Sequence, residues 1–184
     1  MQYDRDLFSF IGGIVMHIHQ RHLYHGAALI QIAEHPEFTA INPFLIDGEN
    51  SHNAYRINDN TGIYAKYASN PNASTSDYLF TFNQENLDEL ANVDELCGKL
   101  FVALICISSS SICCLGYDQL MTLIQMRSLA IGHPEGTYSV LVRAPAGRSF
   151  RVNVNRPGRR GQYLPRAEIV VARNKFPRDL FEIR

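Results

Sequence analysis

Three groups of side chains here are of types that do chemistry. The first is a histidine cluster: five of the seven histidines lie between positions 17 and 35. On a helix His19, His22 and His25 recur every three residues, and imidazoles at that spacing can chelate one transition-metal ion. The H-E-x-x-H pattern, which would add a general base, is absent. The plainer reading is a polar helix face, or a contact between subunits. The second group is Lys66 with Tyr64. They sit two apart in an alternating stretch, so a strand there turns both to one face, an aromatic beside a cation.

The third group is arginine. Residues 1–121 hold 5 Lys+Arg against 14 Asp+Glu, a balance of −9, whereas residues 122–184 hold 12 against 4, a balance of +8. Eleven of those 12 cations are Arg, whose planar fork matches phosphate and carboxylate geometry. A polyanion partner is one implication, with Arg143, Arg148, Arg151, Arg156, Arg159, Arg160 and Arg166 as the contacts to nucleic acid. The other is that the basic end packs on the acidic body or on a second subunit. Cys97, Cys106, Cys113 and Cys114 form no C-x-x-C pair, and three of them fall in apolar stretches. That predicts buried, reduced thiols rather than nucleophiles. No G-x-S-x-G elbow and no phosphate-cradling glycine loop occurs.

These groups need elements to place them. Apolar spacing reads residues 7–35 as mostly helical, either as two helices or as a loop and then a helix from about His22, ending at the His35–Pro36 boundary. Alternation predicts short strands over 44–46, 54–57 and 63–68, the last two joined at the turn-forming run 58–62. A polar loop follows over 69–77, then a strand over 78–82 and a helix over 84–91 capped by Asn83. The run 100–107 reads as a strand buried on both faces. A turn at 108–111, a strand at 112–115 and a helix over 119–129 capped by Asp118 complete this part, which Gly132 ends. Strands over 138–143, 149–155 and 168–173 follow, with the basic loop 156–161 between the last two. The charge switch near residue 132 divides an α/β core over 1–131 from a basic β-rich appendage over 132–184, and one compact unit is expected.

The order helix, three strands, helix, strand resembles the restriction-endonuclease-like superfamily, the PD-(D/E)-x-K nucleases, over about residues 22–130. Lys66 takes the place of the motif lysine. Tyr64 stands where the family carries an acid, and Arg56 lies on the preceding strand that lacks the expected aspartate. The resemblance implies an α/β fold with a mixed central sheet flanked by helices. It implies Mg²⁺ held by Glu34 and by Asp47 or Asp59, with Lys66 stabilising charge during phosphodiester hydrolysis. Asp47 and Asp59 also lie in turn-forming contexts, Asp-Gly and Asn-Asp-Asn.

The chain has 184 residues, 46% hydrophobic and 19% charged. That supports one packed domain and excludes collagen-like, coiled-coil and disulfide-scaffold classes. No run of 18 apolar residues occurs, and the acidic start lacks a signal-peptide pattern, so a cytoplasmic protein without a membrane span is expected. The function expected is nucleic-acid association by a divergent or inactive nuclease-like domain. The alternative is a non-enzymatic assembly or adaptor protein that forms a homodimer, or a larger complex, through its histidine-rich helix.

Overall fold

The computed structural model describes residues 18–158 and 162–182. Two sheets and three helices form among them. The first sheet is mixed, in the order β1 (Ile41–Ile46), β2 (Glu49–Ile57), β3 (Thr61–Ala68), β5 (Lys99–Cys106), β6 (Ser111–Gly116). Only β3 and β5 run parallel; the other neighbours are antiparallel. The second sheet, all antiparallel, is β4 (Asp77–Asn83), β7 (Thr137–Arg143), β8 (Phe150–Val154) and β9 (Ile169–Val171). The helices are α1 (Gln20–Ala33), α2 (Gln84–Glu95) and α3 (Tyr117–Ile131). None is long and apolar enough to cross a membrane.

Both faces of the first sheet are covered, and this explains the apolar run of β5. One face presents Ile57, Ile63, Ala65, Ala103 and Ile105 to Ala28 and Ile32 of α1, with Phe176 and Leu180 closing the layer. The other presents Ala54, Tyr64, Val102 and Leu104 to α2, α3 and the inner face of the second sheet, where Phe80, Phe82, Val140 and Val152 lie. A strand between two apolar layers cannot alternate polar with apolar residues.

Local chemistry sets the turns. Asp47 and Gly48 both have positive φ, 52° and 85°, and join the paired residues Ile46 and Glu49. This is the two-residue hairpin that Asp-Gly favours. Asn58, at φ 49°, takes the N–H of Thr39 at 2.8 Å on its side-chain oxygen and donates to the Glu37 carbonyl at 2.8 Å. It thereby ties the end of the α1 connection to the β2–β3 turn. Asn83 caps α2 as expected. The cap of α3 is Gly116 rather than Asp118. Asp118 lies inside the first turn, where a carboxylate still favours the helix dipole. Gly132, at φ 93°, ends α3.

The boundary expected at residue 132 does not divide the fold. β4, from the acidic half, pairs with β7 from Asp77↔Arg143 to Asn83↔Thr137. The basic region supplies three of the four strands of a sheet whose first strand lies before the charge switch, so it is not an appendage. A chain ending at Ile131 leaves β4 without a partner and the inner core open to water. We expect it to lose the cooperative thermal transition of the full chain, followed by circular dichroism. An unchanged transition in the truncated chain would mean that the second sheet is dispensable.

Candidate functional site

The site begins where two strands part. β2 and β3 pair from Ile57↔Thr61 to Ala54↔Tyr64 and no further, while β3 continues to Ala68 against β5. The cause lies in β2. Ser51 Oγ accepts the backbone N–H of Asn53 at 3.1 Å and of Ala54 at 2.8 Å, a local side-chain bond that competes with the ladder. The strands open at this point, and Lys66 stands beside the opening.

α2 lies across the same face. Asn86 and Glu89, three apart, project from one side of the helix. Glu89 accepts hydrogen bonds from the Ser51 hydroxyl at 2.5 Å and the Tyr64 hydroxyl at 2.8 Å. The Asn53 amide reaches the same carboxylate at 3.5 Å. Lys66 Nζ donates to Asn86 Oδ1 at 2.7 Å and lies 5.0 Å from the centroid of the Phe82 ring. Asn86 Oδ1 also accepts the Asn83 N–H at 3.4 Å, so one oxygen serves both the start of α2 and the lysine. Tyr64 is fully buried, Ser51 is buried, and Asn53, Lys66, Asn86 and Glu89 are half-buried.

Burial dominates the electrostatics. It lowers the Lys66 ammonium from its ordinary range, with the Glu89 charge pulling the other way. The Tyr64 phenol is pushed far up, first by burial and then by the adjacent Glu89 carboxylate. Tyr64 therefore serves as a neutral donor that fixes Glu89. It cannot be the exposed aromatic surface that its alternation with Lys66 predicts.

Of the acids expected near Lys66, the structure brings none to it. Glu34 is the exposed C-terminal cap of α1, on the opposite side of the first sheet. α1 runs so that His25 packs near Tyr67, and Glu34 lies nine residues, or about 14 Å, further along the helix axis. Asp47 occupies the β1–β2 hairpin. Asp59 lies in the β2–β3 turn, and Lys66 is more than roughly 17 Å along β3 from that end. Both are exposed turn residues.

The three histidines do not converge on one point, because His25 stands apart from the other two. His19 and His22 are exposed and meet edge to face at 5.2 Å, and His22 Nδ1 accepts the His19 N–H at 3.2 Å to start α1. His25 is buried between Tyr55 and Tyr67, with Nδ1 lacking a hydrogen-bond partner. Among the described residues no three His, Cys, Asp or Glu side chains converge to hold a metal ion. Cys106, Cys113 and Cys114 are buried free thiols, each pushed up by desolvation, and so are poor nucleophiles.

The arginines divide into two kinds. Arg143 is tied to buried Asp77 at 3.2 Å and to the Thr75 carbonyl at 3.0 Å. Tyr163 completes this group by donating to Asp77 at 2.5 Å; burial and that carboxylate raise its phenol to about 12. Arg151 pairs with Glu168 at 2.6 Å. Arg148, Arg156 and Arg166 are exposed. Arg143, Arg148 and Arg151 line one groove of about 700 Å³ together with Ser149 and Glu168. Arg159, Arg160 and His17 lie outside the described residues.

Sequence reasoning found Lys66 and missed Ser51, Asn53, Asn86 and Glu89. A signal existed for the last two. Leu90 and Val93 mark the buried stripe of α2, and positions 86 and 89 lie on the same stripe one turn earlier.

The tie between Tyr64 and Glu89 has a measurable consequence. Tyr64→Phe should lower the unfolding free energy by about 1–2 kcal/mol in urea denaturation, since a half-buried carboxylate loses a hydroxyl donor. In a Glu89→Gln background the same substitution should cost less. Equal losses in both backgrounds would show that the hydroxyl acts on something else.

Compared with known proteins, the chain matches no family model, no curated protein and no solved structure.

Proposed function

We propose that this chain is a nucleic-acid-binding protein on a restriction-endonuclease-like core, with the Lys66 cluster as a phosphate site. The observation that carries the reading is Lys66 itself. It is a half-buried cation at the point where β2 leaves β3, held 2.7 Å from Asn86 on the overlying helix. The element order supports the reading. α1 precedes a three-strand meander, β1 to β3, and α2 precedes β5 of the same sheet, with β4 of the second sheet lying between β3 and α2; the lysine is on the third strand of the meander. Exposed Arg148, Arg156 and Arg166 add attraction for a polyanion.

The cluster does not fit a hydrolytic Mg²⁺ centre. Mg²⁺ takes near-octahedral oxygen coordination and is anchored by carboxylates, with water and substrate completing the shell. Glu89 is the one carboxylate of the cluster, and both its oxygens already accept hydrogen bonds from hydroxyls. The other oxygens belong to neutral Ser, Asn and Tyr side chains. The donor set suits binding of a phosphate by Lys66 and neutral donors, and the reading is of an inactive relative that binds.

A second reading keeps one observation of its own. Leu23, Ala27 and Ile30 form an outward stripe on α1, and Leu23 and Ile30 are 58% and 61% exposed. An adaptor that pairs with a second copy through α1 would cover that stripe. Sedimentation velocity of the chain and of Leu23→Asp distinguishes it. A dimer that the substitution dissociates supports the adaptor, and a monomer at high micromolar concentration removes it.

The test of the favoured reading is titration of labelled duplex and single-stranded DNA at about 50 and 200 mM salt, since phosphate contacts lose affinity steeply over that range. Lys66→Ala should weaken binding to all sequences and reduce the slope of log K against log salt by about 0.9 on duplex and about 0.7 on single strands, the contribution of one phosphate. Neither Mg²⁺ nor Mn²⁺ should produce cleavage. Absence of binding at low salt would sink the reading. Cleavage abolished by Glu89→Gln would overturn the argument against a metal.

A further inference from the structure

Beside Lys66, on the side of β3 that α1 covers, two tyrosines meet. Tyr67 follows Lys66 in the stretch of β3 that β2 has left, and Tyr24 comes from the first turns of α1. Their ring centroids are 4.8 Å apart at 51°, and both rings are half-buried, each keeping part of its surface open to solvent. His25 abuts Tyr67 edge-on at 5.9 Å and is itself buried, which holds the Tyr67 ring in place. The charged groups that repel a proton on His25 are Arg21, His22 and Lys66, all cationic when charged. Arg21 and His22 thus share the start of α1 with Tyr24, and Lys66 lies on the opposite face of β3.

We infer that Tyr24 and Tyr67 form a stacking platform for an unpaired base, the strand passing round the edge of β3 that β2 has left to bring a phosphate to Lys66 on the opposite face. The nucleic acid taken here is then single-stranded or locally splayed. The inference rests on the nucleic-acid reading above and deepens it by naming the substrate class. A base in a duplex has both faces occupied by its neighbours, so a side-chain platform can take only a base that has left the stack. Aromatic faces flanked by cations bind single strands with little regard to sequence, because every base has a π-face. Tyr64, one pleat earlier, cannot share this role, because it is fully buried.

The test uses the full chain and fluorescence anisotropy with a labelled oligothymidylate and a duplex of equal length at about 50 mM salt. Tyr67→Leu keeps apolar bulk without a π-face, and Tyr67→Phe keeps the ring. Tyr67→Leu should weaken single-strand binding roughly ten-fold while changing duplex binding by less than about two-fold. Tyr67→Phe should bind like the parent. The chain has nine tyrosines and no tryptophan, so quenching of tyrosine fluorescence by the single strand gives an independent readout. That quenching should diminish in Tyr67→Leu. Equal loss for both oligonucleotides, or none for either, would overturn the platform and leave the phosphate reading standing. If the parent binds neither oligonucleotide, the nucleic-acid reading itself fails, and the platform with it.

Discussion

The arrangement depends on one constraint, that β3 is paired along its whole length on one edge and along only part of it on the other. β5 holds every residue from Thr61 to Ala68 in parallel register, while β2 is drawn away after Ala54 by the hydroxyl of Ser51. A strand fixed on one edge keeps its pleat, so side-chain direction past the opening is set by position alone. Lys66 must face α2 and Tyr67 must face α1. The same pleat buries Tyr64 and turns it into the donor that steadies Glu89. The polar cluster and the tyrosine pair are thus two faces of one opening in the sheet.

Charge in this protein is spent in two ways. Arg127 bridges α3 to Glu135 at 2.7 Å and to the Asn155 carbonyl at 2.6 Å, and it is buried. Arg173 donates to the carbonyls of Pro145 and Arg148 while lying 4.5 Å over the Phe150 ring. Arg143 closes the Asp77–Tyr163 group. These guanidiniums hold the second sheet and its connections together, and removing one partner of such a pair leaves a costly charge behind. A net balance of +8 over the last 63 residues therefore overstates what is presented to a polyanion. Arg143, Arg151 and Arg178 are exposed but carry acidic partners, whereas Arg148, Arg156 and Arg166 are exposed with no ion pair among the described residues.

Most elements were legible because their signals are local. The turn at Asp47–Gly48, the Asn83 cap, the doubly buried β5 and the Gly132 stop each follow from residue type and spacing, and each formed within a few residues of expectation. What was not legible is where elements go once formed. Nothing in the alternation of 78–82 says that this strand leaves the first sheet to pair with β7, and the apparent appendage follows from missing that step. The site shows the same limit. Glu34, Asp47 and Asp59 have the order along the chain that the resemblance implies, yet hairpin geometry carries two of them to strand ends and helix direction carries the third away. Glu89 is 23 positions from Lys66 and reaches the site only because α2 folds back across β3. The lysine itself was found because it acts from a strand whose facing is set by the pleat.

The most direct measurement of the central claim is a set of amide and lysine side-chain NMR spectra of the labelled protein during titration with a short oligonucleotide at low salt. The largest shifts are expected at Lys66, Tyr67 and Asn86, with lesser shifts at Arg148, Arg156 and Arg166. Shifts confined to the arginines, with Lys66 and Asn86 unmoved at saturation, would contradict the claim and leave the opening between β2 and β3 a feature of packing alone.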